Sequence, residues 1–206
     1  MKTSRLEQLS DGIFAIVMTI LVFDLKVTGL PLVATNADIW HSFMIMKPIF
    51  LSYLLSFIML FNYWRAHHFF ISIYAKNIDM TLTNINALFF LFIGLVPFST
   101  ALLGSQDKLE LPIILFSLNV IIIGFCLYIM RGYVFKSAHI QNTEVGHEEV
   151  LRGTMRTLVP VFFAVIAIPL SFLNKELALG LLTLSIFFNL FHASTHILMK
   201  MHKIKF

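Results

Sequence analysis

Six apolar runs, separated by short polar breaks, organise this chain. They fall at about 6–27, 40–63, 81–103, 111–131, 157–173 and 176–198. At a rise of about 1.5 Å per residue, runs of this length suit helices that cross about 30 Å of hydrocarbon. The breaks carry turn and cap residues. Gly29-Leu30-Pro31 is one, Gly104 to Lys108 with Pro112 just inside the next run is another, and Asn174-Lys175-Glu176 is a third. The longest polar stretch, Lys136 to Arg156, reads as a surface linker continued by a helical extension. The pattern predicts one all-α integral membrane domain over 1–206 with six transmembrane helices. No internal duplication is visible, which weighs against a transporter built from inverted repeats.

The first run departs from a plain membrane span. Its apolar stretch from Gly12 to Phe23 is bracketed by Asp11 and Asp24, which a helix would hold only about 20 Å apart. Acids so close together are costly against lipid, so the ends of this helix should meet other helices or a water-filled path. Helical phase at about 100° per residue sorts its faces. Ile16, Ile20 and Phe23 share a stripe flanked by Gly12 and Thr19, while Asp11 projects about 140° away from Ile16. Such an apolar ladder can pack against neighbouring helices or lipid. It can also form a constriction that gates by dewetting.

Composition agrees with the pattern: 58% of the 206 residues are apolar, 22 are Phe and only 13% are charged. Soluble domains carry about 25% charge. With six spans, both termini share a side with loops 64–80 and 132–156. That side holds Lys2, Arg5, Arg65, Lys76, Arg131, Lys136, Arg152, Arg156, Lys200, Lys203 and Lys205, against Lys26, Lys47, Lys108 and Lys175 on the other. The positive-inside rule then places both termini in the cytoplasm. Glu7 and Asp11 ahead of the first apolar core, and the lack of a small-x-small site after it, argue against a cleaved secretory signal. The single Cys126 lies in an apolar run and reads as a packing residue. No nucleic-acid module is visible.

Candidate chemistry collects at the cytoplasmic boundary: Arg5, Ser10, Asp11, Trp64, His67, His68 and Asn84. Arg5 and Asp11 are six residues apart and cannot pair within one helix, so each needs partners on other helices. A network tying the first helix to the second and third is expected, although Trp64 also suits an interfacial belt. His67-His68 could titrate near neutral pH, and adjacent positions on a helix allow one of them to face inward. His192 and His196 have the i,i+4 spacing of a metal pair, but Asn189 is a poor third ligand and no acid or cysteine accompanies them. No metal and no other cofactor is expected. His139, His147 and His202 read as solvated. The absence of His-Glu-x-x-His, Gly-x-Ser-x-Gly and paired intramembrane carboxylates argues against an enzyme.

Three segments carry a resemblance. Arg5-x-x-x-Leu9-Ser10-Asp11 resembles the Arg-x-x-x-Phe-Ser-Asp signature of the transmembrane protein 175 family of potassium channels, with Leu9 in place of Phe. Tyr63-Trp-Arg-Ala-His67-His68-x-Phe70 resembles that family's Trp-x-x-His segment. Asn84, followed by Leu95-Val-Pro-Phe-Ser-Thr100-Ala-Leu-Leu-Gly104, resembles its third span and Pro-Phe-x-Thr ending. Helices four to six match only in number and hydropathy.

The resemblance implies a homotetramer in a prokaryotic plasma membrane, with four copies of helix one lining a path for K+ and other monovalent cations. It implies Ile16 as the constriction, Ile20 and Phe23 as further rings, and Thr19 facing the path. No carbonyl filter of the Thr-Val-Gly-Tyr-Gly type is present, so weak selectivity would rest on constriction and hydroxyl layer. Asp24 would stand near the extracellular mouth, either concentrating cations or as an ordinary helix-end charge. The competing expectation is a proton-coupled transporter or proton-permeable channel using Asp11 and His67/His68.

Overall fold

The computed structural model describes residues 3–27, 33–106, 109–142 and 146–190. Eight α-helices follow in order among these residues: α1 Thr3–Ile20, α2 Asn36–Ile45, α3 Lys47–Tyr74, α4 Met80–Gly94, α5 Val96–Ser105, α6 Glu110–Lys136, α7 His147–Leu173 and α8 Lys175–Leu190. A 3-10 turn, Leu21–Asp24, extends α1. Five stretches are long and apolar enough to cross a membrane: Thr3–Asp24, Lys47–Tyr74, Met80–Ser105, Glu110–Lys136 and Gly153–Leu173. The sixth expected span begins as α8, but the rest of 176–198 lies outside the described residues.

Local chemistry explains the boundaries. Thr35 and Asp38 form a capping box at α2: the Thr35 N–H donates to Asp38 Oδ2 at 2.8 Å, and the Asp38 N–H donates to Thr35 Oγ1 at 3.3 Å. Pro48 and Pro97 stand in the first turns of α3 and α5, where a missing N–H costs nothing. Pro97 thereby divides the expected third span into α4 and α5 at Leu95. Pro160 lies inside α7 and has no N–H to give the carbonyl of Arg156 four residues back. The Asn189 side-chain amide of α8 donates to that carbonyl instead, at 2.7 Å.

The helices pack as a bundle in which α6 lies against α7, α4 and α5, and α3 lies against α5, α1 and α8. Two glycines allow close approach. A Cβ at Gly104 would lie 2.8 Å from the Ile49 Cα of α3, and one at Gly124 would lie 2.2 Å from Val161 of α7. The linker after α3 pairs with the one after α6. The Lys76 N–H donates to Ile140 O at 2.8 Å, and the Asn142 N–H donates to Tyr74 O at 2.9 Å. α3 thus continues eleven residues past its expected end at 63, through Tyr74.

Asp79 fastens this end of the bundle. Its Oδ1 accepts the Leu82 N–H at 2.8 Å, capping α4, and its Oδ2 accepts the Tyr133 hydroxyl of α6. The His139 ring lies 3.3 Å from the same oxygen. Partial desolvation works to raise the carboxyl. The Leu82 N–H, the Tyr133 hydroxyl and the His139 ring outweigh it and hold the group below 3.8. Since the folded value is the lower one, the contribution is present above the ordinary carboxylate range and fades as pH falls through the folded value. Asp79→Ala is expected to cost about 1 kcal/mol. In detergent this should appear as a thermal midpoint lower by about 2–4 °C with helix content retained. An unchanged midpoint would show the cap to be redundant.

Candidate pore helix and the polar network behind it

α1 buries one stripe, flanks it with the half-buried Ile13 and Met18, and leaves the opposite face exposed. Leu6, Ser10, Phe14 and Val17, continued by Leu21, face α3 and α4, following the three-to-four-residue spacing of a single helix face. Phe14 and Leu21 are fully buried, whereas Ile16 is 59% exposed, Ile20 41% and Phe23 67%. Gly12 and Thr19 are exposed on the same side. The four side chains expected to wall a path therefore share one face that no other helix covers among the described residues.

Thr19 has a particular chemistry on that face. Its hydroxyl donates back to the carbonyls of Ala15 at 2.9 Å and Ile16 at 2.8 Å. The single proton is committed to the helix's own backbone, so the oxygen presents lone pairs outward. That is the orientation a cation requires. Asp24 ends the 3-10 turn, half-buried.

Behind the exposed face of α1 lies a buried chain of hydrogen bonds. His67 on α3 is fully buried; its Nδ1 lies 3.1 Å from Ser10 Oγ of α1, and its Nε2 lies 2.6 Å from Asn86 Oδ1 of α4. The Asn86 amide nitrogen donates to Leu82 O at 3.3 Å, which leaves its oxygen toward the ring. The pattern assigns a neutral imidazole: the Ser10 hydroxyl donates to Nδ1, and Nε2–H donates to Asn86. Phe89 stacks on the ring with centroids 5.1 Å apart and planes 6° apart. One turn outward, Trp64 Nε1–H donates to Asp11 Oδ1 at 2.8 Å. His68 is exposed and stacks on Trp64 with centroids 5.7 Å apart.

Not every expected member joins. Asn84 is exposed and makes no hydrogen bond among the described residues. The asparagine of the network is Asn86, because two residues turn a helix by about 200° and bring the opposite face inward. Arg5 is exposed, with neither hydrogen bond nor ion pair among the described residues. His192 and His196 lie outside the described residues. Among those described, no group of three His, Cys, Asp or Glu is placed to hold a metal. A shallow groove of about 270 Å³ runs between α1 and α3, lined by Asp11, Phe14, Ala15, Met18, Phe61 and Trp64.

Sequence patterning also misses polar ties deeper in the bundle. The Tyr63 hydroxyl donates to Val120 O at 3.0 Å, and the Thr100 hydroxyl lies 2.7 Å from Ser56 Oγ. Arg65, Arg156 and Asn189 meet where α3, α7 and α8 converge. A hydroxyl or amide embedded in an apolar run leaves no periodic signal of its partner.

The chain is similar to several known proteins. Residues 5–97 match the model of a family described as the endosomal/lysosomal potassium channel TMEM175. A potassium channel of Chryseobacterium sp. (strain P1-3) is 28% identical over 181 residues, covering 87% of this chain and 88% of the relative. One of Streptomyces collinus is 26% identical over 195 residues, covering 91% and 93%. The mouse endosomal/lysosomal proton channel TMEM175 is 30% identical over 133 residues, 59% of this chain but 26% of that longer protein. The crystal structure of a TMEM175 homologue from Chamaesiphon minutus shares the fold. Its TM-score is 0.78 at 24% identity, with 91% of this chain and 95% of that one covered. These relatives are named as channels. The chain is a multi-pass, all-helical protein that shares its fold with a TMEM175 homologue and is similar to the TMEM175 family over residues 5–97.

Proposed function

We propose that four copies of this chain, each a single domain over 1–206 with six spans, enclose a passive potassium-permeable pathway walled by α1. The observation that carries this reading is the uncovered face of α1. Ile16, Thr19, Ile20 and Phe23 lie bare on a helix whose opposite face is packed to full burial. In a membrane such a face can meet lipid, but the acids at Asp11 and Asp24 make lipid a poor neighbour. Four such faces turned toward one axis stack apolar rings with a hydroxyl layer at Thr19. Rings of this kind exclude water when narrow and admit a partly hydrated cation when the helices rotate apart. Ile16 forms the tightest ring, Ile20 and Phe23 flank it, and weak K+ preference arises from ring width and the Thr19 oxygens. Asp24 stands at the outer mouth.

Ser10, Asp11, Trp64, His67 and Asn86 act in this reading as the anchor that sets the rotation of α1. The groove beside Asp11 is where the neighbouring subunit docks, and Arg5 finds its partners across that seam. The excess of Lys and Arg at one end orients both termini to the cytoplasm, in a prokaryotic plasma membrane. The mouse relative's naming as a proton channel supports a second reading, in which protons are the permeant ion.

Purified protein in liposomes with a K+ gradient decides between the two. Potassium efflux well above that of empty liposomes, without a coupled ion, is the expected result. Acidification of the lumen that proceeds without K+ movement would favour the proton reading, and a saturating, strictly counter-ion-driven flux would overturn both.

A further inference from the structure

Where α3, α7 and α8 meet, two cations converge on one atom. Arg65 Nη2 donates to the Asn189 carbonyl at 2.9 Å, and Arg156 Nη2 donates to the same oxygen at 3.1 Å. The two nitrogens are therefore within about 6 Å of each other, a range at which like charges repel appreciably outside bulk water. Arg65 Nη2 also reaches Asn62 Oδ1 at 3.2 Å. Both side chains are half-buried, and among the described residues no carboxylate lies within ion-pair distance of either.

The surrounding groups hold the pair in place. The Asn62 amide donates to Ile186 O at 3.0 Å, and the Asn189 amide donates to Arg156 O, the carbonyl that Pro160 leaves without a backbone partner. Each guanidinium carries five N–H donors, yet among the described residues each makes hydrogen bonds only through Nη2. The shared carbonyl has two lone pairs and both are taken. Two fixed cations that have unused forks and no acid beside them among the described residues match a tetrahedral oxyanion, since guanidinium geometry suits phosphate bidentately. Arg65 follows Trp64 directly on α3 and Arg156 meets it from α7; in the orientation proposed above, this Lys/Arg-rich end of the bundle faces the headgroups of the anionic cytoplasmic leaflet.

We infer that Arg65 and Arg156, braced by Asn62 and Asn189, form a binding site for a phosphate group, supplied by an anionic lipid headgroup or by free phosphate. Native mass spectrometry of the purified protein in neutral detergent, with equal amounts of phosphatidic acid and phosphatidylcholine, reads this directly. Each arginine near an anionic headgroup contributes about fivefold, so phosphatidic acid should be retained well over tenfold better than phosphatidylcholine. R65Q should lose about fivefold of that preference, and R65Q/R156Q should lose it. R65K/R156K, which keeps the charges and suits a variant set in which double Gln does not fold, should keep part of it. K76Q alters an exposed lysine at the same end and should change nothing.

Millimolar inorganic phosphate that displaces the lipid would identify free phosphate as a second source. Lipid retained against phosphate would make the headgroup the source. A wild-type protein with no preference for phosphatidic acid overturns the inference, as does a K76Q loss as large as that of R65Q/R156Q.

Discussion

Asparagine at position 16 is expected to raise K+ flux through reconstituted protein about tenfold or more, and to weaken discrimination between K+ and Na+. The barrier in the proposed pathway is the cost of stripping water from an ion at a ring of four isoleucine side chains. An amide at that level offers a carbonyl oxygen and holds water, and a barrier lowered by about 1.4 kcal/mol already gives tenfold. The site suits the experiment because Ile16 is 59% exposed in the protomer, so the substitution leaves the packing of α1 on α3 and α4 intact. Thermal stability should change little while flux rises. If Ile16→Asn leaves flux unchanged and Ile20→Asn raises it, the tightest ring lies one turn further along. If Ile16, Ile20 and Phe23 can each become asparagine without effect, this face of α1 does not line the pathway.

The face itself was legible in the sequence because helical phase is a property of the backbone alone. At about 100° per residue, Ile16, Ile20 and Phe23 must share a stripe wherever the helix sits. What phase cannot give is the partner. Asp11 was expected to turn away from the ladder toward another helix, and Trp64 receives it; yet nothing in the spacing distinguished Trp64 as a donor from Trp64 as a belt residue. Asn84 and Asn86 illustrate the same limit. Both lie in one apolar run, and only the contact between α3 and α4 decides which of the two faces His67.

Element ends were least legible where polar residues sit inside helices. Trp64-Arg65-Ala66-His67-His68 looks like the start of a loop, yet α3 runs on to Tyr74 because His67, Phe70, Ile71 and Tyr74 are buried in the bundle. In that setting a histidine with both nitrogens bonded no longer counts as a polar break. The short α2 was read as part of the second span, since its apolar residues are continuous with those of α3 in sequence. Its face is unburied throughout, which is what separates it from a packed span.

Removing the imidazole that holds α1 to its neighbours should have the largest effect on stability. His67→Leu fills a similar volume against Phe89 and Phe90, so packing changes little. The change instead leaves the Ser10 hydroxyl and the Asn86 carbonyl oxygen without partners in a fully buried site. Each orphaned group costs about 1–3 kcal/mol, whereas an interhelical hydrogen bond in a membrane contributes only about 0.6 kcal/mol on average. The penalty therefore comes from the stranded partners more than from the lost bonds, and a total of about 2–4 kcal/mol is expected. Heating the detergent-solubilised protein reads it as a lowered midpoint. The double variant His67→Leu with Asn86→Leu removes one stranded acceptor together with the imidazole, and should be less destabilised than the two single changes added together. Strict additivity would mean that Asn86 and His67 are not coupled. Because Ser10 lies on the buried stripe of α1 and Ile16 on its bare one, loosening this tie should also broaden the rotation of α1, the proposed pore helix. A His67→Leu protein with a lowered midpoint but wild-type K+ flux and selectivity would separate the anchor from the gate and leave the network a purely structural role.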